Sequence, residues 1–192
     1  MIVCGVDETG RGSAISGIWV SACILDPDKP IEGLRDSKKL SAKRREELAE
    51  EIKHKALSWS IDIASLEEVE ALNVLNATLL AMRRAIEGLH IMPNKVLVDG
   101  NQLPNIDIPA EAIVKGDDLI PAISAASILA KVERDKVIRE LHQIYPQYGF
   151  DKHKGYLTKG HMLALQEYGP CPIHRKTYAP IRKLLEKQLE LF

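Results

Sequence analysis

The sequence predicts an α/β fold in one domain. Five short apolar runs of strand length lie at residues 2–6, 18–25, 57–63, 95–98 and 112–114. Capped segments with helical periodicity separate most of them. The length, 192 residues, fits one domain with a helical appendage, and 45% apolar with 28% charged residues is ordinary for a globular protein.

The first run ends in Asp7-Glu8 and enters a Gly10-Arg11-Gly12 loop. Carboxylates at a strand end suit a hard cation. A glycine loop lets backbone N–H groups approach a phosphate or a sugar. Two familiar motifs are disfavoured here. A P-loop needs Lys and Ser/Thr where Arg11 and Gly12 stand, and a dinucleotide fingerprint needs its third glycine two residues before Gly17. A plain hairpin turn with solvated acids stays open on these residues alone.

The run at 18–25 reads as the partner strand across that turn, ended by Asp26-Pro27-Asp28. After the loop Asp36-Ser37-Lys38-Lys39-Leu40, Ser41 caps a charged helix to about Lys55. Residues 57–63 form a third strand. Ser65 with Glu67 and Glu68 marks a helix start, and a second helical pattern over 74–88 sets Leu75, Leu79, Met82 and Ile86 on one face.

The run at 95–98 ends in Asp99-Gly100, which repeats the strand–carboxylate–glycine order of the opening. The run at 112–114 precedes Asp117 and Asp118. Pro121 suits the first turn of a long helix to about Ile144, whose small side chains at 122–127 allow close approach to a sheet. Pro146 stops that helix, and 147–157 reads as a polar, aromatic loop. Thr158 caps a helix to about Tyr168. Residues 169–172 are turn material, and a last helix starts near Ala179 with Leu184, Leu185 and Leu189 apolar. Residues 1–145 are expected to form a catalytic core and 146–192 a helical extension packed on it as one compact unit.

Three separate runs thus lead into acids: Asp7-Glu8, Asp99 and Asp117. If one sheet gathers them, each like-charged pair about 4 Å apart costs roughly 4 kcal/mol at an effective dielectric near 20. Such a cluster needs cations, and oxygen-only ligands suit Mg²⁺ or Mn²⁺. Two such ions can clamp the attacking and leaving oxygens of an in-line phosphodiester cleavage. Adjacent strand residues point to opposite faces, so Asp7 and Glu8 share a site only if regular strand geometry breaks there. Taken singly, Asp99-Gly100 is also a common turn pair, and Asp117 or Asp118 could simply cap a helix.

Charge is split along the chain. Residues 131–192 carry 12 Lys/Arg against 7 Asp/Glu, a balance of +5, while residues 1–130 balance at −6. An acidic part holding metal and a basic part holding a polyanion would have this form. No apolar run approaches a membrane span, and no secretory signal pattern opens the chain, so a cytoplasmic location is expected. Cys4, Cys23 and Cys171 form no disulfide framework, and Cys171 and His174 lack the second pair a zinc site needs.

In order from the N-terminus to about Arg182, the segments GVDETGRG, DSKKLS, LNATLLAMRRAIEGL, VLVDGN, KGD, SAASILAKVERD, YPQYGFDKHKGYLTKGH and PIHRKTYAP resemble those of prokaryotic ribonuclease HII, the type 2 ribonuclease H. The resemblance implies a ribonuclease H-like α/β fold, a mixed five-stranded sheet flanked by helices with a helical C-terminal part. It implies endonucleolytic cleavage of RNA paired to DNA, and nicking 5′ of a single ribonucleotide embedded in a DNA duplex, leaving 3′-hydroxyl and 5′-phosphate ends. The family's four metal-binding, catalytic carboxylates map onto Asp7, Glu8, Asp99 and Asp117, the last preferred to Asp118 because it follows Lys115-Gly116. The loop that contacts the ribose 2′-hydroxyl maps onto Gly10, Arg11 and Gly12, and the junction-sensing tyrosine onto Tyr156. The 2′-hydroxyl is the group that separates RNA from DNA, and an aromatic face set on the next sugar would accept a bare deoxyribose and crowd a ribose.

Ser37, Lys38 and Lys39 look placed for backbone phosphates, as do Lys152, Lys154, Lys159 and Arg175, which predicts weak sequence preference and strong salt dependence. Thr9, Ser13 and Leu157 depart from the common pattern without removing a ligand. The sister enzyme ribonuclease HIII, with an extra N-terminal domain, is disfavoured because the first strand starts at residue 2. Two other classes compete: a non-catalytic nucleic-acid-binding module of the same fold, and a phosphate-binding NTPase. A monomer is expected, and Gln188 with the tail Leu189-Glu190-Leu191-Phe192 resembles a sliding-clamp-binding motif.

Overall fold

The structure is a computed structural model that describes residues 1–189, so residues 190–192 of the clamp-like tail lie outside the described residues. Five strands, β1 (Val3–Thr9), β2 (Ile18–Ile24), β3 (Ser58–Ala64), β4 (Lys95–Asp99) and β5 (Ala110–Ile113), form one sheet in the order β3-β2-β1-β4-β5. The β1–β2 and β2–β3 pairs are antiparallel, and the β1–β4 and β4–β5 pairs are parallel. The sheet is therefore mixed, as expected, and every predicted run supplies a strand. The last run is displaced: β5 ends at Ile113 and Val114 is 66% exposed.

Helices cover both faces. The start of α2 (Leu66–Glu87) has a complete capping box between Ser65 and Glu68. It packs Ala77, Ala81, Met82, Ala85 and Ile86 against Val6, Val20, Ala22 and Val98. The two predicted helical patterns join into this one element across a break at Asn73 (φ 69, ψ 166), whose Oδ1 accepts from the Asn76 N–H and so caps the second half. Leu75 was expected on the packed face. It is instead 37% exposed in the turn beyond the break, and alanines bring the helix close to the sheet.

On the other face lie α1 (Ala42–Lys55), capped by Ser41, and α4 (Pro121–Ile144). Leu48 and Ile52 meet Ala125, Ala126, Ile128 and Leu129 around Cys23. A Cβ on Gly5 would stand 2.1 Å from the Ala122 carbonyl carbon, so glycine in β1 and small residues in α4 are two halves of one close contact.

A third cluster joins Ala14 and Ile15 to the C-terminal elements α5 (Phe150–His153), α6 (Lys159–Tyr168) and α7 (Ala179–Leu189). The stretch expected as a polar loop is more ordered than that. It holds a 3₁₀ turn at Pro146–Tyr148 and then α5, with Tyr148 and Phe150 buried and stacked at 5.2 Å. The apolar area of two rings outweighs the polar residues beside them. Among the described residues, no helix is long and apolar enough to cross a membrane.

Candidate active site

Parallel pairing of β1 with β4 sets Val6 opposite Val98, so Asp7 and Asp99 leave neighbouring strands at the same level. The third acid does not come from a strand end. Lys115 adopts a left-handed conformation (φ 60) and turns the chain into the short helix α3 (Gly116–Leu119), with Asp117 in its first turn. Asp99 Oδ1 fastens that turn by accepting from the N–H groups of Gly116 at 2.7 Å and Asp117 at 3.3 Å. Ser124 Oγ donates to the Asp117 carbonyl at 2.6 Å, tying α3 to α4. One carboxylate oxygen from each of Asp7, Asp99 and Asp117 then lies within 4.8 Å of the other two.

This group suits a hard divalent cation on its own chemistry. Asp7 is 5% exposed, and burial, then the charges of Glu8 and Asp99, push its carboxyl well above the usual range. Burial and Asp99 also raise Asp117. A cation would relieve all of these penalties with oxygen ligands alone. Glu8 is not part of the three-acid group. Strand β1 runs on through Thr9, and Glu8 stays beside the group: its charge helps raise Asp7, and burial raises its own carboxyl, with Arg11 lowering and Asp99 raising it. Its Oε1 meets Arg11 at 3.4 Å, and its Oε2 is buried without a hydrogen-bond partner among the described residues. Asp118 pairs with Lys39 and stands outside the group.

The glycine loop follows at once. Gly10 takes φ 97, a conformation that excludes most side chains, and Arg11 and Gly12 are exposed. Arg175 was expected at a phosphate. It is 1% exposed, and its guanidinium donates to the carbonyls of Gly10, Arg11, Ser16 and Gly17 at 2.7–2.9 Å. It braces the loop from inside, and its burial keeps it away from a solvent-side phosphate.

Arg134, which sequence reasoning missed, lies beside it and is also fully buried. Its Nη2 donates to the Lys154 carbonyl at 2.9 Å, its guanidinium carbon lies 5.5 Å from the Tyr156 ring centroid, and a Cβ on Gly10 would stand 2.5 Å from its Nε. Tyr156 is 37% exposed, with its ring 3.6 Å from where a Gly12 Cβ would stand. The loop and the tyrosine therefore share one surface.

A second rim comes from the 3₁₀ turn Ser37–Lys39, whose cap Asp36 accepts from the Lys38 N–H. Ser37 is buried and bonded to Ser127 Oγ at 2.9 Å, so its hydroxyl serves the interior and not a phosphate. Arg45 holds the turn through the carbonyls of Ser37 and Leu40. Lys38 is exposed; burial opposes its charge, but Asp36, Asp7 and Asp117 outweigh it and raise its pKa. Lys152 and Lys159 are exposed, while the Lys154 ammonium folds back onto the Asp151 carbonyl at 2.7 Å.

Comparison with known proteins agrees with this geometry. The ribonuclease HII family profile matches residues 4–181. The chain is 73% identical to the ribonuclease HII of Desulforamulus reducens, over 100% of this chain and 99% of that one. Ribonuclease H2 from Pyrococcus horikoshii superposes with a TM-score of 0.81 at 28% identity, covering 97% of this chain and 98% of the other. The ribonuclease HII of Archaeoglobus fulgidus, solved as a complex with PCNA, gives 0.78 at 27% identity, covering 93% and 95%.

Proposed function

Since the chain belongs to the ribonuclease HII family, we propose that it cleaves the RNA strand of RNA–DNA hybrids and nicks duplex DNA 5′ of a single embedded ribonucleotide. Its fold is ribonuclease H-like and it is a ribonuclease H enzyme. The observation that carries the finer reading is the trio Asp7, Asp99 and Asp117, grouped within 4.8 Å beside a glycine loop and a half-exposed tyrosine. These three acids, with Glu8 as the fourth, would hold Mg²⁺ or Mn²⁺. When bound, a pair of such ions supplies Lewis-acid stabilisation and an activated water for in-line cleavage.

The chain's own residues do the rest. Asp99 keeps α3 in place through the Gly116 and Asp117 N–H groups, which fixes the spacing of the acids. Gly10, Arg11 and Gly12 offer backbone to a 2′-hydroxyl, with Arg175 and Arg134 behind them as braces. The Tyr156 face meets the sugar on the DNA side of the junction. Lys38 and Lys39 on one rim, with Lys152 and Lys159 on the other, contact phosphates and set register without reading sequence. The resemblance of residues 188–192 to a clamp-binding tail, together with the relative solved on PCNA, supports a sliding clamp as partner.

The test is a DNA duplex holding one ribonucleotide, incubated with Mg²⁺, Mn²⁺ or a chelator. Metal-dependent nicking on the 5′ side of the ribonucleotide is expected. Binding without nicking would favour the non-catalytic module. Co-elution with a clamp, lost on deleting residues 188–192, checks the partner.

A further inference from the structure

We propose that His161 and His174 form a neutral hydrogen-bond chain that positions Tyr156 against the Gly10–Gly12 loop, making them positioning residues for reading the RNA–DNA junction. The proposal rests on the functional reading above.

Both imidazoles are fully buried, and their Nε2 atoms lie 3.0 Å apart. One nitrogen must donate and the other accept, so the two rings cannot both be imidazolium. The outer contacts decide which. His161 Nδ1 is 3.1 Å from the Tyr156 carbonyl, which can only accept, so Nδ1 carries the hydrogen and Nε2 is bare. At the other end the Cys171 N–H, which can only donate, lies 2.9 Å from His174 Nδ1, nearer than the Cys171 Sγ at 3.2 Å and the Cys171 carbonyl at 3.3 Å. His174 is therefore bare at Nδ1 and donates from Nε2. A single direction runs from Cys171 N–H through both rings to the Tyr156 carbonyl, and it needs both rings neutral. Burial is the leading cause that pushes each of them down to about 4, in keeping with this.

The two ends of the chain are the two parts of the proposed reading surface. His174 makes a β-bridge with Ile15, and the flanking bonds run from Ser16 N–H to the Ile173 carbonyl and from Arg175 N–H to the Ala14 carbonyl, both 2.8 Å. Arg175 then grips the Gly10 and Arg11 carbonyls. At the tyrosine end, His153 stacks on His161 at 4.4 Å with planes 10° apart, and Phe150 meets the His161 ring edge-on at 5.5 Å. These contacts fix the ring planes, and the His161 ring then holds the Tyr156 carbonyl together with the Thr158 N–H at 2.8 Å. A core histidine that is merely satisfied would need neither a Tyr156 terminus nor an anchor in the peptide that holds the loop.

His161→Leu removes the side-chain donor to Tyr156 and leaves only the Thr158 N–H there, whereas His161→Asn can place an amide N–H where Nδ1–H stood. The readout is the ratio of kcat/KM at a single embedded ribonucleotide to kcat/KM on a continuous hybrid. His161→Leu should lower this ratio on the order of tenfold, about one hydrogen bond's worth of positioning, and His161→Asn should recover most of it. A folded His161→Leu with the parent's ratio, or an Asn variant no better than Leu, overturns the proposal. Should the Leu variant not fold, ¹⁵N chemical shifts of the unmodified protein still decide: His161 as the Nδ1–H tautomer and His174 as the Nε2–H tautomer are required, and any other pattern overturns it. An unmodified protein that fails to cleave either substrate with metal overturns the functional reading, and the tautomer measurement then judges the chain independently.

Discussion

At the scale of single residues, the acids of the site are held against their own preference for water. Asp7 has its pKa raised, chiefly by burial, so the folded protein keeps a proton that the unfolded chain has released. Metal-free stability then falls as pH rises from about 4, the unperturbed carboxylate value, through the raised folded one. Asp7→Asn should therefore raise the melting temperature of the chelated protein at neutral pH and abolish the further rise that Mn²⁺ gives the parent. Thermal denaturation with and without metal checks both; an Asn variant that melts lower in chelator would contradict this account of strain. Asp99→Asn behaves differently. An amide oxygen can still accept from the Gly116 and Asp117 N–H groups, so turnover should be abolished while the melting temperature stays near the parent's. For Tyr156→Ala the expectation is a larger loss of cleavage at single ribonucleotides than of hybrid binding, and equal losses would speak against junction reading. The acids were legible in the sequence because each follows an apolar run. Arg134 was not, because Lys131-x-x-Arg134-Asp135 reads as an ordinary charged helix face until tertiary packing closes over it.

At the scale of elements, the site depends on how closely α4 approaches β1. A Cβ on Gly5 would stand 2.1 Å from the Ala122 backbone, which leaves no flexible atom to move aside. Gly5→Ala should thus cost several kcal/mol, about the size of other overpacked core substitutions or more, and a melting temperature within a degree or two of the parent would show that α4 can shift. The strands and most helix starts were legible from period and caps: Ser41, Ser65 and Thr158 all accept from the backbone N–H three residues on. The unexpected turns at Pro146–Tyr148 and Phe150–His153 were not, since their order comes from Tyr148 and Phe150 packing on Ile138, Leu165 and Ile181 from distant parts of the chain. Glu8 teaches the same lesson. Its place beside Asp7 suggested a shared site; in the structure it lies outside the three-acid group, with Oε1 on Arg11, while its charge still acts on Asp7.

At the scale of the whole molecule, residues 1–130, acidic in balance, supply the three grouped acids, and residues 131–192, basic in balance, supply Tyr156 and the exposed Lys152 and Lys159. Substrate binding should weaken steeply with added salt, with a log–log slope of several units, and Lys38→Ala should lessen that slope by about one without creating sequence preference. A slope near zero would mean that phosphate contacts do not drive binding. By itself the sequence determined the α/β class, the five strands, the helix caps and the pattern of acids following apolar runs, because period, capping and residue chemistry act over a few neighbours. Only the tertiary structure decided that oxygens of Asp7, Asp99 and Asp117 meet with Glu8 beside them, and that Ser37 and Arg175 are buried. It also joined Tyr156 to the glycine loop through two buried histidines. Those outcomes depend on parallel strand register and on burial between parts of the chain far apart in sequence, Ser37 with Ser127 and Arg175 with Gly10 among them, which no local pattern encodes.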